Sequence, residues 1–251
     1  FNGGVIGLGV GDFHRDLAAA GTPAGVNFTG AGGWAAYGAD RAVNLNNDSH
    51  FITWGDANTG LNGQTLILGA ADATHTVDFQ HPLDLGAAAR TVQVGDGAAV
   101  VDAKLSELLS GAGGGMTKTG AGTLLLLAEN TYTGATTINQ GTLRVVGAAA
   151  LGGTAGSSTD ANNIVFGQNL NSGTLEFETA ANLGPASQIR FRNTGGTAGQ
   201  GGVLKYVGTT HETVSKTIQC DTSIGIRLES DSVGGSITFN GAFSQTNRGL
   251  Y

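Results

Sequence analysis

Short runs in which apolar and polar residues alternate recur along the chain, each closed or followed by glycine or another turn former. They are Gly63–Gly69, Thr76–Gln80, Arg90–Gly95, Gly122–Leu127, Gly141–Gly147, Asn163–Gly167, Gly173–Glu178, Gln188–Arg192, Gly202–Gly208, Ile224–Glu229 and Gly235–Asn240. A period of two is the mark of a β-strand with one buried face. In Gly173–Glu178 the inward set is Leu175 and Phe177, which leaves Glu176 and Glu178 toward water. In Gln188–Arg192 it is Ile189 and Phe191, which sends Arg190 and Arg192 outward. Val101–Leu109 reads two ways. Its apolar positions 101, 105, 108 and 109 fit an amphipathic helix of two turns, and equally a further strand. Asp16–Ala20 is expected to form a helical turn.

The runs are self-similar. Gly-Thr-Leu occurs at Gly122, Gly141 and Gly173. Ala150–Gly153 resembles Asn182–Pro185 at a step of 32, and Gly-Gly before an alternating run recurs at Gly201 and Gly234, a step of 33. Imperfect periods of this size belong to stacked repeats, in which each coil pairs with the coils on either side. The predicted fold is therefore all-β: a right-handed parallel β-helix (β-solenoid) with strands of about 4–6 residues and helix below about 10%, far under the usual third. No strong domain boundary is visible; the softest stretch, Gly147–Asn162, reads either as an inter-coil loop or as a joint between a solenoid segment over 1–147 and further coils over 148–251.

Composition agrees with many tight turns. Gly accounts for 44 of the 251 residues and charged residues for only 12%, against averages of about 7% and about 25%. Gly supplies the turn conformations that other residues resist, and it weakens helices. With 12 Lys and Arg scattered along a chain of net charge −7, no basic stripe exists for nucleic acid. No apolar run is long enough for a membrane-spanning helix, and no series of ~10-residue alternating strands suggests a membrane barrel within this segment. The single Cys220 cannot form an internal disulfide. The sequence starts at Phe1 without a basic-then-apolar leader, so the chain is read as a piece of something larger.

Residues 116–143 resemble the autotransporter-associated β-strand repeat. That pattern runs Lys-Thr-Gly-x-Gly-Thr-Leu-x-Leu, then Asn-x-Tyr-x-Gly-x-Thr-x-x-x-x-Gly-x-Leu. Lys118, Thr119, Gly120, Gly122, Thr123, Leu124, Leu126, Asn130, Tyr132, Gly134, Thr136, Gly141 and Leu143 fall on it without a gap. Looser likeness to segments that precede such repeats extends over Gly32–Gly38, Asp40–Asn44 and Thr53–Gly55. The resemblance implies a passenger-type β-helix, exported and displayed outside the cell. Leu124, Leu126 and Leu143 are expected in the core and Tyr132 on the core with its hydroxyl at the edge. Gly120, Gly134 and Gly141 are expected at corners, and Asn130 in a turn or a ladder between coils. One departure stands out: the family places hydroxyl residues where this chain has Leu125 and Leu127, so the outward face of this strand is apolar as well. Gly249–Tyr251 aligns with Gly115–Thr117, which leads to the expectation that another repeat follows.

Candidate chemistry is thin. Gly111–Thr119 looks like a phosphate-binding loop but has Thr117 before Lys118 where that loop needs Gly. Gly7–Asp12 echoes a calcium nonapeptide once, without the tandem aspartates. Asp12, His14 and Asp16, and the set Asp72, His75, Asp78, His81 and Asp84, read as solvated surface rather than metal ligands. Asn27–Thr29 and Asn47–Ser49 fit the glycosylation triplet. Glu176 with Glu178, and Glu229 with Asp231, are the carboxylate pairs a sugar-cleaving solenoid would need, yet neither has the apolar setting that raises a pKa. No cofactor, metal site or catalytic set is expected, and the chain reads as no enzyme. The expected role is a structural or adhesive segment of an extracellular or cell-surface fibre protein. Its partner is itself, by end-to-end stacking or laterally through Leu125 and Leu127. The alternative is a glycan-binding or glycan-cleaving solenoid; Trp34 and Trp54 could serve as its stacking surface but read first as core or coil-capping residues.

Overall fold

The computed structural model describes residues 1–18, 25–46, 50–57, 60–156, 159–167, 173–192, 199–221 and 224–246. The chain winds in coils. The first carries β1 (Val5–Leu8) and β2 (Phe13–Arg15). The next three have three strands each: β3 (Gly32–Ala36), β4 (Arg41–Leu45) and β5 (Ile52–Thr53); β6 (Leu66–Leu68), β7 (Val77–Phe79) and β8 (Leu83–Asp84); β9 (Ala89–Val94), β10 (Ala103–Leu105) and β11 (Leu109–Ser110). Three two-strand coils follow: β12 (Gly115–Thr119) with β13 (Thr123–Leu126), β14 (Thr136–Ile138) with β15 (Thr142–Val145), and β16 (Ile164–Phe166) with β17 (Thr174–Phe177). The last described coils hold β18 (Gln188–Phe191), β19 (Gly199–Tyr206) and β20 (His211–Val214), then β21 (Thr217–Asp221), β22 (Ile224–Ser230) and β23 (Ser236–Phe239), and finally β24 (Phe243–Thr246).

Corresponding strands stack into parallel sheets. The first sheet has ten strands, β1-β3-β6-β9-β12-β14-β16-β18-β21-β24, and the second nine, β2-β4-β7-β10-β13-β15-β17-β19-β22. A third side is strand only in places, as β11-β8-β5 and β20-β23. This is a parallel β-helix. Both long sheets pass through residue 147 without interruption, since β14 pairs with β16 and β15 with β17. All eleven alternating runs contain a strand. Many strands are shorter than the expected 4–6 residues: β6, β7, β10, β14 and β16 have three. The two-way reading of Val101–Leu109 resolves to strands, β10 and β11. Helix among the described residues is confined to two 3-10 turns, Asp160–Asn162 and Ala180–Leu183. Asp16–Ala20 was expected to turn helically, but Leu17 makes a parallel bridge to Val26 instead, and Ala19 and Ala20 lie outside the described residues.

The step from one coil to the next is not constant. In the first sheet it is 34 from Gly33 to Ile67 and 20 from Met116 to Thr136. The 32-residue step is a true coil step, since Thr142 pairs with Thr174. The Gly201–Gly234 likeness is not, because Gly201 lies in β19 of the second sheet while Gly234 precedes β23 on the third side.

Alternation becomes packing through continuous rows. On the inner face of the second sheet Val43, Phe79, Leu105, Leu126, Val145, Phe177 and Tyr206 are in register and buried. On the first sheet Phe166 stacks on Phe191 at 4.5 Å with parallel rings. Burying apolar area, at roughly 25 cal/mol per Å², is shared between neighbouring coils, so each coil depends on the next.

Candidate functional site

Two features carry the chemistry of this molecule: the polar groups that close the corners between coils, and the outer face of the second sheet.

Lys118 lies in an inward row of the first sheet, in register with Val92 and Ile138, and is fully buried. Its stem fills an aliphatic row, and its Nζ donates to the carbonyls of Thr119 at 2.9 Å, Gly120 at 2.8 Å and Gln140 at 3.1 Å. Burial pushes its pKa down to about 7, and Asp102 and Asp96 oppose the fall. Lys216 does similar work further along, donating to Gly184 at 2.6 Å and Ala186 at 2.5 Å, and burial lowers it to about 8. Three buried asparagines tie coils together. Asn130 accepts from Leu109 N–H at 2.9 Å and donates to Ala128 at 3.0 Å and Ala150 at 2.8 Å. Asn182 accepts from Glu178 and Thr179 and donates back to Gly147 and Ala149 in the preceding coil. Asn163 accepts from Ser187 and Gln188. Every buried amide must find partners, and one Asn offers both an acceptor and two donors.

Aspartates outside the repeat do the same for strand entries. Asp12, Asp40 and Asp102 each accept the backbone N–H of the residue at the equivalent position of the next coil: Ala42 at 2.8 Å, Thr76 at 3.0 Å and Thr123 at 2.8 Å. From Gly122 onward the glycine carbonyls of the Gly-Thr-Leu segments take over, accepting from Thr142, Thr174 and Val203. The sequence signal is an aspartate just ahead of strands β2, β4 and β10.

The motif residues fall as follows. Leu124, Leu126 and Leu143 are buried in the second sheet. Gly120 and Gly141 have φ of 75° and 69° and turn corners. Gly134 is not among the positive-φ residues; a Cβ there would stand 2.4 Å from the carbonyl oxygen of Gly114, so it is Gly to let two coils touch. Gly122 is of the same kind, with Gly95 O at 2.3 Å from such a Cβ. The Tyr132 hydroxyl is not at an edge. It is buried against Thr136 Oγ1 at 2.5 Å, and burial pushes its pKa up to about 12.

On the outer face of the second sheet one register row reads Ala42, Asp78, Lys104, Leu125, Arg144, Glu176, Lys205, Glu229. Glu176 lies 3.8 Å from Arg144 and 3.2 Å from Lys205, and Lys205 also reaches Asp231 at 2.5 Å. Leu125 sits half-buried between the neighbouring Lys104 and Arg144. Leu127 also points outward and is 43% exposed. Arg190 departs from expectation. It lies on the outer side of the first sheet but is only 7% exposed, because Asp160 of the first 3-10 turn covers it in an ion pair of 2.7 Å.

The remaining candidates are dispersed. The Asp12 carboxylate is engaged by Ala42 N–H. Asp72 accepts from the Tyr37 hydroxyl, Asp78 from Ser106, and Asp84 from Gly86 N–H, while His81 is buried against the Leu45 carbonyl. Among the described residues no three His, Cys, Asp or Glu gather in the manner of a metal site. Gly115–Thr119 is strand rather than phosphate loop. Trp34 and Trp54 are core residues, so neither offers a sugar-stacking face. Glu178 accepts from Gly147 N–H at 2.7 Å, and Glu229 pairs with Arg227. Asn27 donates its amide to the Ala18 carbonyl; Asn47–Ser49 and Gly249–Tyr251 lie outside the described residues. No described helix is long and apolar enough to cross a membrane.

Parallel sheets closed coil on coil, with buried polar side chains stitching several of the corners, define a β-solenoid of stacked repeats. Residues 116–145, which span β12 to β15 and include the shortest coil step, match the passenger-associated-transport-repeat family. Residues 116–145 are thus a passenger-associated transport repeat, the kind of repeat carried by autotransporter passengers, and that family implies export to the cell surface or the extracellular space. No curated protein and no solved structure matches the chain.

Proposed function

We propose that this chain is a non-enzymatic, structural and adhesive passenger segment that acts by associating with itself. The observation that carries the reading is the outward pair Leu125 and Leu127. They stand on the second sheet where the repeat pattern has hydroxyl residues, in a row that otherwise carries mostly charged side chains. A half-exposed leucine pair gains from being covered, up to about 1.5–3 kcal/mol for a fully buried side chain, and the adjacent Lys104 and Arg144 give the patch direction.

The experiment is the double substitution Leu125→Thr with Leu127→Thr, followed by sedimentation and electron microscopy. The expected result is an unchanged circular-dichroism spectrum and a loss of lateral assembly. Assembly that persists unchanged removes this face from the reading.

A further inference from the structure

We propose that the outer face of the second sheet pairs with the same face of a second copy, with the two solenoid axes antiparallel; this rests on the self-association reading and adds its geometry. From β10 to β22 the row runs Lys104, Leu125, Arg144, Glu176, Lys205, Glu229, one residue per coil. In charge it reads plus, neutral, plus, minus, plus, minus. Read backwards it is complementary to itself at four of the six positions, and Leu125 falls opposite Lys205 at the other two. A two-fold axis parallel to the strands, passing between β15 and β17, reverses coil order and leaves the level along each strand unchanged. Such an axis sets Arg144 against Glu176 of the second copy and Lys104 against Glu229 of the second copy. Leu125 then meets the stem of Lys205, and Lys side chains readily bury such stems.

The next level of the same face obeys the same operation. Leu127 follows β13 and meets Val207, which follows β19, so an apolar position faces an apolar one; Ser106 after β10 meets Asp231 after β22; and Val146 after β15 meets Glu178 after β17, whose carboxylate is held by Gly147 N–H of its own chain. The other two-fold arrangement, with solenoid axes parallel, sets Lys104 on Lys104, Arg144 on Arg144 and Glu176 on Glu176. Like charges brought together across an interface disfavour that arrangement, and isologous contacts of the favoured kind close into dimers.

Lys104 and Glu229 make the test, with Glu229 also paired to Arg227 within its own chain. Within one molecule β10 and β22 are five strand positions apart, about 24 Å at the usual ~4.8 Å spacing, so no direct pair forms within a copy. Lys104→Glu and Glu229→Lys are prepared separately in the full chain, checked by circular dichroism, and followed by sedimentation equilibrium alone and as an equimolar mixture. Each variant alone is expected to raise the dimer dissociation constant about tenfold or more, because both symmetric contacts become like-charged. The mixture is expected to recover wild-type affinity, because both contacts of the mixed dimer again pair opposite charges. Lys104→Gln and Glu229→Gln weaken association in the same direction should a reversal disturb folding. Variants that associate like wild type, or a mixture that fails to recover, overturn the antiparallel arrangement. Loss of association in the Leu125→Thr, Leu127→Thr chain alongside that failure leaves the face in use with another geometry; association unaffected by any of these changes overturns the self-association through this face as well.

Discussion

Lys118 and Gln140 are joined across a coil boundary: the ammonium of one, buried in an apolar row, donates to the backbone carbonyl of the other at 3.1 Å. Two more carbonyls of its own coil complete the cage. Lys118→Met keeps the apolar stem and strips all three carbonyls of their donor. A buried acceptor left unsatisfied costs about 1–3 kcal/mol, so the variant is expected to lose about 2–3 kcal/mol in urea unfolding. Lys118→Ala also opens a cavity and is expected to lose more. A Met variant as stable as wild type contradicts the role assigned to the ammonium.

The same residue gives a pH dependence. Unfolded lysine holds its proton to about 10.4, whereas folded Lys118 releases it near 7. Below that window both states are protonated, and above it neither is. Within it only the unfolded state binds the proton, so folded-state stability rises with pH, by at most about 1.4 kcal/mol per unit for one group. Lys216, lowered to about 8, contributes in the same direction at the upper end. Urea midpoints measured from pH 7 to 9 are expected to climb in wild type and to climb less in Lys118→Met. Parallel profiles count against the assignment.

Asp102 offers a second check on the corners. Its two oxygens accept from Gly97 N–H at 2.7 Å and Thr123 N–H at 2.8 Å, the latter at the entry of the following coil. Asp102→Ala orphans both donors and is expected to cost about 2–4 kcal/mol. It also removes a charge that supports the Lys118 ammonium, so the two substitutions are expected to be non-additive in a double-mutant cycle.

How far the sequence reveals this molecule varies by residue. Inward rows were legible because alternation reports directly which side of a sheet is dry: Leu175, Phe177, Ile189 and Phe191 are all buried. Arg190 was read as solvated because alternation says which face a side chain leaves by, not what later folds over it; Asp160, thirty positions earlier, does so. Val101–Leu109 was ambiguous because its apolar spacing fits both periods, and coil stacking against β7 and β13 decided for strand. The inward direction of Lys118 was hidden by its charge, although its place two residues after Met116 put it on the dry side. The corner aspartates were hidden because their partners lie one coil away, 21 to 36 positions on.

Glycine roles separate by substitution. Gly134→Ala places a methyl 2.4 Å from the Gly114 carbonyl oxygen and is expected to cost at least ~2 kcal/mol by forcing coils apart. Gly147 has φ of 62° with nothing near its missing Cβ, so Gly147→Ala is expected to cost only the ~1–2 kcal/mol of the left-handed conformation. Thermal unfolding distinguishes them; equal losses leave the coil-contact explanation of Gly134 without support.

The most direct measurement of the account is hydroxyl-radical footprinting across a concentration series that spans assembly. Val10, 98% exposed in the turn before β2, and Phe243, 57% exposed on β24 of the first sheet, lie outside the β10–β22 row and serve as internal references. Oxidation of Leu125 and Leu127 is expected to fall as the chain assembles while that of Val10 and Phe243 holds. Leucines that stay as reactive in the assembled state as in the monomer contradict the assignment of this face to self-association.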